Sequence, residues 1–275
     1  KMLSAGNSFG VFQLESRPML SLMRSLAPTE FEDVAALVAL YRPGPMAANM
    51  HNDYADRKNG RLPIQYFHPD AEELLADTYG LMIYQESVMR VAQKFAGYSL
   101  ADADSLRKAM GKKKRKELEK QEEKFIKGAT KNGIGKDIAS FIFQKIKPFA
   151  EYGFNKSHAA AYALIAYQTA YLKKYYPEDF IAATMSTELS NTDKLREFVE
   201  ELKRLKIDIV RPDINSCFAD FKPEKNKIFY ALSGIKSVGR EAISGVINER
   251  KKNGPFKSVN DFIKRVNPKD INKLQ

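Results

Sequence analysis

Proline and glycine punctuate a long series of helical patterns in this sequence, which leaves room for little besides a many-helix fold. Pro18 falls in the first turn of a segment whose Met19, Leu20, Leu22, Met23 and Leu26 form an amphipathic stripe. Thr29, as an N-cap, precedes residues 31–41, apolar enough to predict a largely buried helix. Arg42-Pro43-Gly44-Pro45 ends that helix, because two prolines around a glycine do not continue one. Helical character resumes over 46–59 and stops at Gly60. Further helices are predicted over 69–76, 85–96, 101–110, 113–131, 137–147, 157–175, 177–189 and 192–205. In 157–175 the alanines, with Leu164 and Ile165, leave little polar face and predict a helix running through the core. After Lys206 the pattern changes: 207–210 and 228–231 have β-type content, with turns at 213–216 and 223–226. From Leu232 helix returns. The expected fold is mainly α, with a small β element near 207–231.

The chain has 275 residues, 44% of them hydrophobic and 29% charged, ample for a real core, so disorder and small disulfide scaffolds are excluded. Cys217 has no second cysteine to pair with. His51, His68 and His158 are far apart and no Cys/His cluster has zinc-ligand spacing, so no metal site is expected. No run of about 18 apolar residues and no hydrophobic leader are present, and a soluble, cytoplasmic chain with no membrane partner is expected. The 45 Lys+Arg against 34 Asp+Glu leave a formal charge of +11, which favours polyanions. Residues 105–136 hold twelve Lys/Arg and four Glu, so most of that excess sits in one element.

Three constellations carry chemistry. Basic residues around the end of a helix, Arg107 and Lys108 and then Lys112, Lys113 and Lys114 after Gly111, can converge on phosphate oxygens: arginine offers a planar fork, lysine a mobile charge. Composition alone equally describes a solvated charge run, as the Lys/Glu spacing over 113–131 does. In the second, Ser157 is read as the N-cap of the alanine-rich helix. With Lys156 before it and His158 in the first turn, this helix start could attract an anion or move a proton. A plain capping motif fits as well. The third, residues 235–243, reads as a helix-hairpin-helix element whose backbone amides at Lys236, Ser237, Val238, Gly239 and Arg240 can hold one DNA phosphate without reading sequence. Phe256, Val259, Phe262, Ile263 and Val266 would supply its partner apolar face. Any helical hairpin shares that pattern. Asp102-Ala103-Asp104 has the spacing of a metal-binding pair but opens a helix, where acids favour the dipole. No Ser/His/Asp grouping, Walker loop or dinucleotide glycine pattern occurs.

Taken in order, GVFQLESR at 10–17, ALVALYRPGP at 36–45, YQE at 84–86, the basic run at 107–114 and YGFNKSHAAAY at 152–162 resemble the fingers region of the bacterial DNA polymerase III alpha subunit, the C-family replicative polymerase. The resemblance extends through PDIN at 212–215 into the hairpin segment, and so covers essentially the whole chain. It implies a fingers domain over 1–206, a short β connection over 207–231 and part of a helix-hairpin-helix domain over 232–275.

The resemblance also implies nucleotidyl transfer from deoxynucleoside triphosphates by the parent enzyme, a DNA-directed DNA polymerase. Arg107, Lys108, Lys112, Lys113, Lys156, Ser157 and His158 would line the triphosphate site, and Lys108 stands where relatives carry a second arginine. The catalytic residues, three palm aspartates holding magnesium, lie upstream of GVFQ in the family. They are expected to be missing, as is the clamp-binding peptide, so the isolated fragment is expected to be inactive and monomeric. The implied partners are primer-template DNA and dNTP and, for the parent, the sliding clamp and other replisome subunits. Gln13, Glu15 and Arg17 fit junction packing or substrate contact, while the rigid turn at Arg42-Pro43-Gly44-Pro45 is expected to fix packing near the palm-fingers junction and is assigned no ligand. The alternative is a non-enzymatic helical DNA-binding module using the lysine-rich helix and the hairpin.

Overall fold

Supply of backbone hydrogen-bond partners decides where the helices begin and end. Pro18 stands in the first turn of α1 (Arg17–Leu26), which buries Met19, Leu22, Met23 and Leu26. α2 (Phe31–Leu40) is capped differently from the expectation. Glu30, not Thr29, is the N-cap, and the Asp33 carboxylate reaches back to accept from the N–H of Thr29 at 2.8 Å and of Glu30 at 3.2 Å. The 42–45 turn both stops a helix and starts one: α3 (Pro43–Ala47) places its prolines in the first turn, where no intrahelical donor is required. Asn49, at φ 58°, then separates α3 from α4 (Met50–Lys58), so the single helix expected over 46–59 is two. Lys58, at the end of α4, brings its ammonium within 3.3 Å of the fully buried Asp33.

The computed structural model describes residues 1–111 and 115–267, which fall into two compact units, Lys1–Gln168 and Thr169–Gln275. In the first, a short helix α5 (Glu72–Leu75) leads to four helices, α6 (Gln85–Ala96), α7 (Leu100–Gly111), α8 (Arg115–Lys131) and α9 (Lys136–Tyr152). They close around Phe95, Leu106, Phe125, Phe143 and Ile146, all essentially inaccessible to water. α8 and α6 approach closely at Gly128, where a Cβ would collide with the Ala96 carbonyl. α9 runs on through Pro148 to Tyr152, past its expected end at 147.

α10 (Lys156–Tyr175) corrects a clear expectation, since it does not run through the core. Its buried stripe is made of the small residues Ala159, Ala163, Ala166 and Ala170 and ends in Lys173, while Leu164 is 49% and Tyr167 51% exposed. Alanines at intervals of three and four mark the face that packs closely, and the larger apolar side chains lie outside it.

In the second unit, α11 (Pro177–Thr187) and α12 (Thr192–Leu205) precede a small sheet. Lys173 and Glu201, both nearly inaccessible, pair at 2.6 Å, and Arg204 adds a forked contact to the same carboxylate. The sheet has strand order β1 (Asp208–Val210), β3 (Lys227–Phe229), β2 (Lys222–Glu224), with β1 parallel and β2 antiparallel to β3. β2 lies where a turn was expected over 223–226. Pro223 fits because β2 is an edge strand, and the reversal is confined to Lys225 and Asn226, at φ 43° and 64°. Ile243 and Ile247 of α13 (Arg240–Asn253) form a small core cluster with Cys217 and Leu232. The expected apolar face of the last helix, α14 (Val259–Arg265), is only partly used. Phe256 is buried with its ring 5.0 Å from Phe262, but Val259 and Ile263 are exposed.

Candidate functional site

The starts of α6 and α10 are stitched together. Tyr84 and Phe154 form a parallel bridge in which Gln85 N–H donates to the Phe154 carbonyl at 2.9 Å and Phe154 N–H to Ile83 at 3.0 Å. α10 is then capped by Asn155, not Ser157 as predicted: the Asn155 side chain accepts from the His158 N–H at 2.8 Å. An anion does sit at this helix start, and it is the protein's own. The Glu86 carboxylate accepts from the Lys156 N–H at 3.0 Å and from the Asn155 amide at 3.1 Å.

Side chains from distant segments gather on this seam. Arg107, on α7, directs Nε and Nη2 to Asp104 Oδ1 at 2.9 and 2.7 Å, while Nη1 reaches the Gln85 side chain at 3.4 Å. Lys108 Nζ takes the other Asp104 oxygen at 2.7 Å. Lys156 Nζ lies 3.0 Å from Asp77 and 5.4 Å over the Tyr84 ring. Burial, then the charges of Asp77, Glu32 and Glu86, push the Tyr84 hydroxyl far above its ordinary range, so it stays a neutral phenol. An aromatic ladder continues the seam: His158 stacks 4.3 Å from Tyr162 and edge-on 5.2 Å from Phe154, Phe12 meets Tyr162 at 5.5 Å, and the Arg42 guanidinium caps Phe154 at 4.4 Å. Burial lowers the Arg42 pKa below the ordinary guanidinium range.

The structure therefore brings Arg107, Lys108, Lys156, Ser157 and His158 into one unit of the chain, beside Phe12 and Arg42. Lys112 and Lys113 lie outside the described residues. Gln13, Glu15 and Arg17 are exposed, with Glu15 accepting from the Gly10 N–H at 3.1 Å. The pocket beside Lys156, lined by Phe31, Tyr54, Asp77, Tyr84 and Ala160 among others, measures about 70 Å³, far below the few hundred that enclose a nucleotide-sized ligand. Any large anion here would lie on an open surface. In the second unit, Lys236, Ser237 and Gly239 are exposed on the loop before α13, Ser237 at φ 68°, Val238 packs against the small core, and the exposed Arg240, first residue of α13, pairs with Asp220.

Asp102 and Asp104 do not fit a divalent cation. Asp102 is spent on Lys124, and both Asp104 oxygens are taken by Arg107 and Lys108. No group of three or more His, Cys, Asp or Glu that could hold a metal ion occurs among the described residues.

Comparison with known proteins bears on the same segments. Residues 1–133 match the profile of the bacterial DNA polymerase III alpha subunit finger domain, and 206–275 that of a helix-hairpin-helix motif. Over 99% of its length the chain is 49% identical to the DNA polymerase III subunit alpha of Borreliella burgdorferi, 46% to that of Caulobacter vibrioides and 45% to that of Thermus aquaticus. The chain belongs to the bacterial DNA polymerase III alpha subunit family. It spans about a quarter of the length of these relatives, 23 to 24%.

Within this polymerase family segment, the residues that tie the seam together carried other expectations or none: Gln85 and Glu86 stood only in a family motif, Asp104 only in an apparent metal-binding pair, and Asp77 was not singled out. Asp104 was legible, since it precedes Arg107 and Lys108 by three and four positions, the spacing of helical ion pairs. Glu86 and Asp77 act across 70 and 79 positions of chain, and no local signal marks them.

Proposed function

We propose that this chain is the fingers region of a DNA-directed DNA polymerase, and that Arg107, Lys108, Lys112, Lys113, Lys156, Ser157 and His158 receive the triphosphate of an incoming dNTP. The exposed hairpin at 236–240 holds a backbone phosphate of the primer-template. The observation that carries the reading is convergence. Motifs as far apart as Phe12, Arg42, Gln85, Arg107 and His158 meet on one seam of a single unit, where Arg107, Lys108 and Lys156, each paired with a carboxylate of Asp104 or Asp77, lie on an open surface that an extended polyanion can reach.

Phosphoryl transfer needs positioning and stabilisation of charge on non-bridging oxygens far more than it needs protein nucleophiles. An arginine fork with two donors directed at one carboxylate oxygen is pre-shaped for a phosphate, lysines add point charges, and the His158 imidazole is held by the rings either side of it. In this reading the magnesium ions of the whole enzyme, which activate the attacking oxygen and neutralise the phosphates, are held outside these 275 residues. The sliding clamp and other replisome subunits are partners of that whole enzyme.

The test is a calorimetric titration of the chain with dATP at low salt, beside Arg107→Ala/Lys108→Ala. Loss of two charge-assisted contacts weakens binding about tenfold or more. Unchanged dATP affinity removes the triphosphate role. Salt-sensitive duplex binding indifferent to Arg107 and His158 would instead favour a helical DNA-binding module.

A further inference from the structure

Of the cations assigned above, Arg107, Lys108 and Lys156 are already engaged. Two carboxylates, Asp104 and Asp77, hold three cations, Arg107, Lys108 and Lys156, at 2.7 to 3.0 Å. Asp104 takes Nε and Nη2 of Arg107 together, the edge of the guanidinium with which arginine grips a phosphate. Because Asp104 lies one turn before its partners on α7, the pair can open and close again by side-chain rotation, without moving the backbone. Hydrogen bonds from Lys108, then Arg107, hold the Asp104 carboxyl below its ordinary 3.8, so it is charged at neutral pH. Asp102, the other half of the sequence's Asp-Ala-Asp, turns to Lys124 instead, which leaves Asp104 alone on the Arg107 side.

We propose that Asp104 is a built-in counter-ion, competing with phosphate for Arg107 and Lys108, so that the triphosphate binds by displacing it and the carboxylate re-closes on the cations when the phosphates leave. Asp77 does the same for Lys156. The proposal rests on the triphosphate reading. A triphosphate, with about four negative charges, displaces a single carboxylate readily, yet each exchange returns part of the binding energy. The effect is a site that keeps its cations in place but holds phosphate less tightly than their number suggests, which favours release of the pyrophosphate product.

Two other roles for Asp104 give opposite results on substitution. An ordinary surface ion pair on a helix would leave ligand affinity unchanged, and a residue orienting Arg107 toward the ligand would weaken binding when removed. The experiment is titration of the full 275-residue chain with dATP and with pyrophosphate, at several KCl concentrations, for wild type, Asp104→Asn and Arg107→Ala, with circular dichroism to confirm retained helix. Asp104→Asn is expected to bind both ligands about fivefold more tightly, the size of one or two released surface pairs, and to lose affinity more steeply with salt.

Unchanged or weaker binding by Asp104→Asn, while Arg107→Ala still weakens it, overturns the counter-ion alone. Binding that Arg107→Ala does not affect overturns the triphosphate reading itself. Absence of dATP binding by both wild type and Asp104→Asn overturns both, whereas binding seen only in Asp104→Asn supports the competition.

Discussion

Replacing Asp33 by alanine tests how the first unit is held together. Asp33 is completely buried, accepts from the N–H groups of Thr29 and Glu30, and faces the Lys58 ammonium at 3.3 Å, whose side chain is only 7% exposed. Removing one partner of a buried ion pair leaves the other charge uncompensated, an effect of about 3 to 5 kcal/mol. Lys58 keeps two further contacts, the Ala27 carbonyl at 3.3 Å and the Thr29 hydroxyl at 3.1 Å, which places the loss at the lower end, about 3 kcal/mol. Urea unfolding followed by far-UV circular dichroism measures it, and hydrogen exchange of α2 and α4 peptides locates it. The paired change Asp33→Leu/Lys58→Met removes both charges together and should be milder than Asp33→Ala alone. A loss below about 1 kcal/mol for Asp33→Ala, or a double variant worse than the single one, would refute the reasoning.

Glu201 supplies a pH test for the second unit. Burial by itself would raise its carboxyl, but hydrogen bonds from Arg204 and Lys173 outweigh burial and hold it below the ordinary 4.5. A depressed folded-state value stabilises at pH above 4.5 and that stability is lost as pH falls through the lower folded value, so the unit should weaken in that acid window and Glu201→Gln should flatten the dependence. Identical urea midpoints against pH for both proteins would count against the triad. Gly128→Ala should destabilise by about 2 kcal/mol, because its Cβ meets the Ala96 carbonyl, a backbone atom that cannot rotate aside. A thermal melt reads this directly, and an unchanged or higher Tm would show that α6 and α8 separate freely.

Much of the fold was legible because helices are local. Residues 85–96 carry their apolar period and their stop at Gly97 within a few turns, and the structure's α6 has those same limits. Where expectation failed, a competing local group or a distant partner decided. Asn155 caps α10 because its side-chain Oδ1 accepts from the His158 N–H, which leaves Ser157 inside the first turn. Asn49 broke a helix by taking a left-handed φ. Alanine-rich α10 reads as buried by composition, yet burial depends on which face packs, and the alanine stripe is buried while Leu164 and Tyr167 are exposed.

The sequence by itself determined the helical character, the concentration of positive charge and, through the order of its motifs, the polymerase family. Those properties are local or cumulative, and no distant contact is needed to produce them. Tertiary structure alone decided that Glu86 fills the start of α10, that Arg107 reaches Gln85, that Lys156 closes on Asp77, and that Phe12 and Arg42 join the same aromatic ladder. Directional contacts of about 3 Å across dozens of residues arise only after packing has brought the segments together.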